Sequence, residues 1–281
     1  MTDLVTQIKH ALLPIVYPAR NRLHPRKLHA YAIGLPRTGT HSLKDLFAKH
    51  YRALHEPMRR EMIDLIYARE IEGLSDDEQI RRLRQRDRQL WLEMEASNHV
   101  SIFAPLLAQM YPAAKFILLL RDPYSWLSSM LTVAEEDFIR QPQMGPWREK
   151  NVTAKFGYGR LSYGDYDEPM RQRDLAPLVG YIRYWQSIYA HILTRMPTDQ
   201  LLLVYTHQIS SDLERIAQFI GIPVETLDRD SSHKNARAKK STLIDEIDRN
   251  YLEMQVQAIC GELMAQYFPT IKHLEDAIKP R

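Results

Sequence analysis

The stretch Gly34-Leu35-Pro36-Arg37-Thr38-Gly39-Thr40-His41-Ser42 carries the strongest chemical signal in the chain. Two glycines, a cation and several hydroxyls sit between a short apolar run and a helical pattern. A loop in that position turns backbone N–H groups toward the positive end of a helix, which makes a seat for a phosphate-type anion. Gly34 and Gly39 have the gap of a Walker loop, which continues with Lys and then Ser or Thr. Here Thr40 and His41 hold those two places, and the cation has moved into the loop as Arg37. The bland alternative is an ordinary glycine turn, but position, cation and hydroxyls coincide.

A second constellation is Arg121-Asp122-Pro123-Tyr124-Ser125-Trp126-Leu127-Ser128-Ser129. A helix from Pro123 to Ser129 rises about 9 Å at ~1.5 Å per residue, a span the Arg121 side chain can cover. Its guanidinium offers a fork of donors to phosphate oxygens. Ser125, Ser128 and Ser129 share one helical face. The competing reading of Arg121-Asp122 is a local ion pair at a helix start.

Both groups need strands and helices to carry them. Ala30 to Ile33 reads as a buried strand ending at Gly34, and Leu43, Leu46, Phe47, His50 and Tyr51 recur at helical spacing after Thr40. Lys115 to Leu120 is a second strand, apolar on both faces. Asp122 is a good N-cap and Pro123 a good first helical residue, predicting a helix from Tyr124 to about Val133. Leu201 to Tyr205 is a third strand, followed by a helix over Ser211 to Ile220 that Gly221 and Pro223 stop. Strands alternating with helices imply a parallel, doubly wound α/β sheet whose ligands sit at the carboxyl ends of strands. The Gly34 loop and Arg121 both fall there.

Elsewhere, Ser75-Asp76-Asp77-Glu78 has capping-box spacing and starts a helix through about Leu90. Its arginines at 81, 82, 84, 86 and 88 read as a solvated face with Asp77–Arg81 and Glu78–Arg82 pairs. Residues 140–170 mix Gly and Pro with Trp147, Phe156, Tyr158, Tyr163 and Tyr166, and read as a long irregular excursion or lid. A polar stretch with His233, Lys234, Lys239 and Lys240 precedes a last helix from about Thr242 to Phe268.

Composition narrows the classes. The 281 residues are 44% hydrophobic and 26% charged, as in globular chains. The longest aliphatic runs, Ile117–Leu120 and Leu201–Val204, are far below the ~20 residues of a membrane helix, so no membrane insertion is expected. Asp3, Lys9, His10 and Pro14 make a cleaved leader unexpected. Cys260 stands alone, which rules out an intramolecular disulfide and a multi-cysteine zinc site. A net charge of +3, from 38 Lys+Arg against 35 Asp+Glu, does not call for nucleic acid and is compatible with one local basic pocket. The expectation is a cytoplasmic protein of one domain spanning 1–281, its oligomeric state open and a homodimer among the options.

With these residues in hand, the chain resembles the sulfotransferases that use 3′-phosphoadenosine 5′-phosphosulfate (PAPS), in their bacterial small-molecule form. Their loop follows the pattern Pro-(Lys/Arg)-(Ser/Thr)-Gly-Thr, matched by Pro36-Arg37-Thr38-Gly39-Thr40. Their second motif is an Arg at the end of a buried strand with a Ser eight residues on, matched by Arg121 and Ser129. The likeness includes Tyr111 to Phe116 and the Trp185 helix, and spans about 30–270. It implies a three-layer P-loop-like fold, a central parallel sheet flanked by helices, with an acceptor lid at 140–170.

The resemblance also implies roles. Arg37, Thr38, Gly39, Thr40, His41 and Ser42 would hold the 5′-phosphosulfate, and Arg121 with Ser129 the other phosphate. Arg37 stands where many relatives have lysine; its permanent charge suits leaving-group stabilisation and not proton donation. Relatives take the acceptor's proton with Glu, Asp or His, here from His55-Glu56-Pro57 or from Glu93 to His99. Glu56 is the first choice, with His55 as neighbour and Glu95 or His99 next. Against these stand a helix-start carboxylate at Glu56, a structural ion pair at Glu95 and a packed imidazole at His99. Lys239 lies in the place of a loop that closes on the nucleotide, without the Arg-Lys-Gly signature of cytosolic animal members. Sulfuryl transfer to a hydroxyl or amine, without a metal, is the leading function. A P-loop kinase using Asp122 for magnesium and an inactive nucleotide-binding module are the alternatives.

Overall fold

In a computed structural model of the chain, the described residues are Tyr17, 21–140, 145–229 and 242–278, with side chains 135–140 left aside. Five strands form one parallel sheet: β1 (Ala30–Gly34), β2 (Ala53–His55), β3 (Met94–Ala96), β4 (Lys115–Leu120) and β5 (Leu201–Tyr205). Their order is β2-β3-β1-β4-β5. In the β1–β4 register Gly34 lies beside Leu119, so the glycine loop and Arg121 leave the sheet at neighbouring tips. From β1 the chain crosses to β2 and β3 on one side, while β4 lies on the other. That reversal is where doubly wound sheets bind ligands.

Period-two alternation splits β1 and β4 between two cores. Ala30, Ala32, Ile117 and Leu119 pack with α1 (Thr40–Phe47) and, near the chain's other end, a short helix Leu213–Ile220. Tyr31, Ile33, Phe116, Leu118 and Leu120 join the opposite core. That core is built from α2 (Arg59–Glu70), α4 (Ala104–Met110), α5 (Pro123–Arg140), α8 (Leu178–Arg195) and α11 (Arg249–Tyr267). The remaining helices are α3 (Asp76–Leu90), α6 (Gly145–Phe156), α7 (Glu168–Arg171), α9 (the Leu213–Ile220 helix) and α10 (Leu243–Glu246). This is the three-layer arrangement expected.

Several boundaries differ from expectation. α5 runs on to Arg140 rather than stopping near Val133, because no Gly or Pro intervenes before Pro142. The 140–170 excursion is not wholly irregular, since α6 occupies its first half. Pro146 suits a first helical turn and Gly157, at φ 69°, ends it; these residues punctuate a helix. The last helix is two, α10 and α11, with Asp248 accepting from the Tyr251 N–H at 2.8 Å to cap the second. β2 and β3 are three residues each, too short for a period to show. Ser75 caps α3 as expected, but Arg81 and Arg82 both pair with Glu78, and Arg86 is buried rather than solvated.

Helix α6 is anchored by close packing. A Cβ at Gly180, in α8, would lie 2.0 Å from the carbonyl oxygen of Phe156, so the end of α6 presses directly on the α8 backbone.

Candidate active site

The glycine loop is braced from within. Arg37 and Gly39 take left-handed backbone angles, φ 68° and 97°. Gly39 is the N-cap of α1 and supplies no capping side chain, so the first N–H groups of that helix are available to an outside acceptor. The Thr38 hydroxyl donates to the Leu35 carbonyl at 2.7 Å and is fully buried. It ties the loop together from within. The Thr206 hydroxyl spans the carbonyls of Thr38 and Leu120 at 2.8 and 3.1 Å, and Ser101 bonds both N–H and carbonyl of Gly34. Neither residue stands out in the sequence.

The two arginines converge. Arg121 Nη1 donates to the Arg37 carbonyl at 2.7 Å, and Arg37 Nε donates to Ser129 Oγ at 3.1 Å. Arg121 Nε donates to Ser125 at 3.1 Å, so each arginine holds one serine of the α5 face. Trp185 Nε1 fixes the Arg121 carbonyl at 2.9 Å and Trp126 Nε1 the Pro36 carbonyl at 2.8 Å. Burial pushes the Arg121 pKa down, Asp122 opposes this, and the nearby Arg37 charge adds to it. Two guanidiniums held close in a partly buried crevice repel, and an anion between them removes that cost. Asp122 is fully buried and accepts from the Ser125 N–H at 2.8 Å and from its hydroxyl. It serves as a helix cap, which engages the carboxylate that the kinase reading assigns to magnesium.

Beyond α1 lies a cluster around Glu56. Asn98 Nδ2 donates to Glu56 Oε1, and buried Lys155 Nζ donates to Asn98 Oδ1 at 2.6 Å. A carboxylate only accepts, so the Asn98 amide N–H faces Glu56 and its carbonyl faces Lys155. His99 Nδ1 and His55 Nε2 stand 3.8 and 4.0 Å from Oε1, and Arg59 Nε 3.9 Å from Oε2. Burial lowers Lys155 to about 7, against the pull of Glu56. It also holds His99 far below, and His55 below, the usual imidazole value. Neither ring nitrogen of His99 has a hydrogen-bond partner. His55 Nε2 meets the Thr40 hydroxyl at 3.1 Å, which links the cluster to the loop.

The other expected residues are placed as follows. His41 pairs with Asp45 at 3.0 Å and its ring lies 4.9 Å from that of His55. Ser42 is half-buried in the first turn of α1. Glu95 takes the structural role that competed with catalysis: both its oxygens bind Arg86, at 2.6 and 2.7 Å, in a buried pair. Arg86 also donates to the Pro57 carbonyl at 2.8 Å, so Glu95 braces the turn that carries Glu56. Lys239 lies outside the described residues. Lys155 and Asn98 were missed. For Lys155 a signal existed, because Val152, Lys155 and Phe156 fall on one helical stripe and put the amine on the inward face. Among the described residues no group of His, Cys, Asp or Glu could hold a metal ion, and no helix is long and apolar enough to cross a membrane.

A family model described as "Sulfotransferase domain" matches residues 31–239. No curated protein matches the chain. Among solved structures, a sulfotransferase from Mycobacterium avium is 14% identical, with 89% of this chain and 81% of that one covered at a TM-score of 0.50. A sulfotransferase from Alicyclobacillus acidocaldarius is 15% identical, with 86% and 96% covered and a TM-score of 0.44. At such identity the Mycobacterium likeness speaks for a common fold.

Proposed function

Because the chain belongs to the sulfotransferase domain family, we propose that it moves the sulfuryl group of PAPS to a hydroxyl or amine of a small-molecule acceptor, leaving the desulfated product PAP. The observation that carries this reading is the convergence of Arg37 and Arg121 at neighbouring strand tips, 2.7 Å from side chain to main chain. Two fixed cations beside an uncapped helix end suit a bisphosphate with charge at both ends better than a single phosphate.

The donor supplies an activated sulfuryl group whose sulfur–oxygen bond to phosphate breaks as the acceptor oxygen or nitrogen bonds to sulfur. The chain's part is to hold, orient and take a proton. The backbone N–H groups of Gly39 to Ser42 receive phosphate oxygens, and Arg37 stabilises charge on the leaving phosphate. Arg121 with Ser129, and Ser125 beside them, hold the 3′-phosphate. Glu56 takes the acceptor proton: Asn98 donates to Oε1, and Oε2, 3.9 Å from Arg59 Nε, is the oxygen left to receive it. His55 and Lys155 position this carboxylate. The single, buried Cys260 fits a cytoplasmic setting.

The test is calorimetric titration with PAP, then transfer from labelled PAPS in wild type and Glu56→Gln. Micromolar PAP binding with transfer that the substitution abolishes supports the reading. Binding without transfer to any acceptor points to an inactive nucleotide-binding module, and absence of PAP binding removes the donor.

A further inference from the structure

The carbonyls of the glycine loop, from Gly34 through Gly39, are all held from behind. That of Gly34 accepts from Ser101 Oγ at 2.7 Å, that of Leu35 from the Thr38 hydroxyl at 2.7 Å and that of Pro36 from Trp126 Nε1 at 2.8 Å. The Arg37 carbonyl accepts from Arg121 Nη1 at 2.7 Å, that of Thr38 from Thr206 Oγ1 at 2.8 Å and that of Gly39 from the Leu43 N–H at 3.0 Å. The N–H groups are left the other way. Those of Thr38, Gly39, Thr40 and Ser42 have no acceptor among the described residues.

A planar trans peptide points its C=O and its N–H in opposite directions. Holding a carbonyl back therefore aims the next N–H forward. With the carbonyls of Arg37, Thr38 and Gly39 held, the N–H groups of Thr38, Gly39 and Thr40 face away from their braces, as successive donors do in an anion-binding nest.

Among the braces, Thr206 comes from a third strand tip. It follows β5 directly, and its hydroxyl also lies 3.1 Å from the carbonyl of Leu120, the peptide that leads into Arg121. One half-buried side chain thus touches the main chain of both motifs. The same segment backs Gly39: a Cβ there would lie 2.7 Å from Ile209 Cδ1 and 3.6 Å from the Thr206 methyl. Gly39, at φ 97°, is the loop residue with the widest backbone freedom.

Resting on the sulfotransferase reading for its ligand, we propose that Thr206 is a positioning residue of the anion seat: by holding the Thr38 carbonyl it aims the Gly39 N–H at the 5′-phosphate of the donor. It acts through the main chain of the loop. Without its hydroxyl the Thr38–Gly39 peptide can rotate, and an anion must order that peptide as it binds.

The test uses the full chain as wild type, Thr206→Val, Thr206→Ala and Thr206→Ser. Calorimetry with PAP should show Kd about three- to tenfold higher in the Val and Ala variants, the loss of one neutral hydrogen bond, and near the wild-type value in Ser. With isotope-labelled glycine, the Gly39 amide resonance should move on titration with inorganic phosphate in wild type and Ser, and should need more phosphate in Val and Ala. Unchanged affinities in Val and Ala, a Ser variant as weak as Val, or a fall in Tm with Kd and the Gly39 response preserved overturns the inference. A protein whose Gly39 response weakens as stated but which never binds PAP keeps the role of Thr206 and loses the donor. One that binds PAP equally in all four forms keeps the donor and loses Thr206; one that binds neither anion loses both.

Discussion

The side chain of Arg121 is tied to the main chain of Arg37, Nη1 to carbonyl oxygen at 2.7 Å. This bond fixes the left-handed residue of the loop from outside the loop. It makes the glycine loop and the Arg121 turn one unit, so damage at β4 is felt at β1.

Replacing Arg121 by Ala removes one cation and frees that carbonyl. PAP affinity should fall by about 1.5–3 kcal/mol, the worth of a charged hydrogen bond, or roughly tenfold to hundredfold in Kd. Calorimetry measures this directly; an unchanged Kd would remove Arg121 from the grip.

Lys155→Met tests the bonds that run from Lys155 through Asn98 to Glu56. An apolar chain of similar length spares the cost of burying an amine, so Tm should hold or rise. Asn98 then loses its enforced orientation, and kcat should drop about tenfold to hundredfold, as for a misplaced catalytic group, while PAP Kd stays constant. A large fall in Tm with kcat preserved would make Lys155 structural only.

Gly180→Ala places a methyl 2.0 Å from the Phe156 carbonyl. Backbone cannot swing aside as a side chain can, so α6 and α8 must part. Overpacking of this kind costs about 1–3 kcal/mol. Thermal melts should show the loss, and turnover should fall with it because Phe156 adjoins Lys155.

The pH dependence of stability follows from His29, His55 and His99. Burial holds all three below their ordinary value, His29 at about 4. The folded state therefore resists protons that the unfolded chain takes up near 6.5. Stability from this source is complete above that pH and lost as pH falls toward 4. His273, raised by Glu253 at the surface, opposes the trend. Melts at pH 7.5, 6 and 5 should show Tm falling, and His99→Asn should flatten the slope.

That the glycine loop and the Arg121 motif open side by side at strand ends was legible because each is local in sequence. Gly34 to Ser42 and Arg121 to Ser129 each lie within nine residues, and strand, loop and helix signals bracket both. The cluster around Glu56 was half legible. Glu56 could be named, but Asn98 is 42 residues from it and Lys155 another 57 from Asn98, and nothing short of the folded chain brings them together. Glu95 shows the same limit: the sequence names a structural ion pair there, but only the folded chain shows that Arg86, nine residues earlier on α3, holds both oxygens.

The glycine loop and Arg121 stand on strand ends and on α1 and α5, whereas α6 rests on the backbone of α8 and meets Glu56 through Lys155 and Asn98. Evolution can therefore redraw the surface of residues 145–177 and leave the paired arginine loops as they are, provided that Lys155 keeps its hold on Asn98.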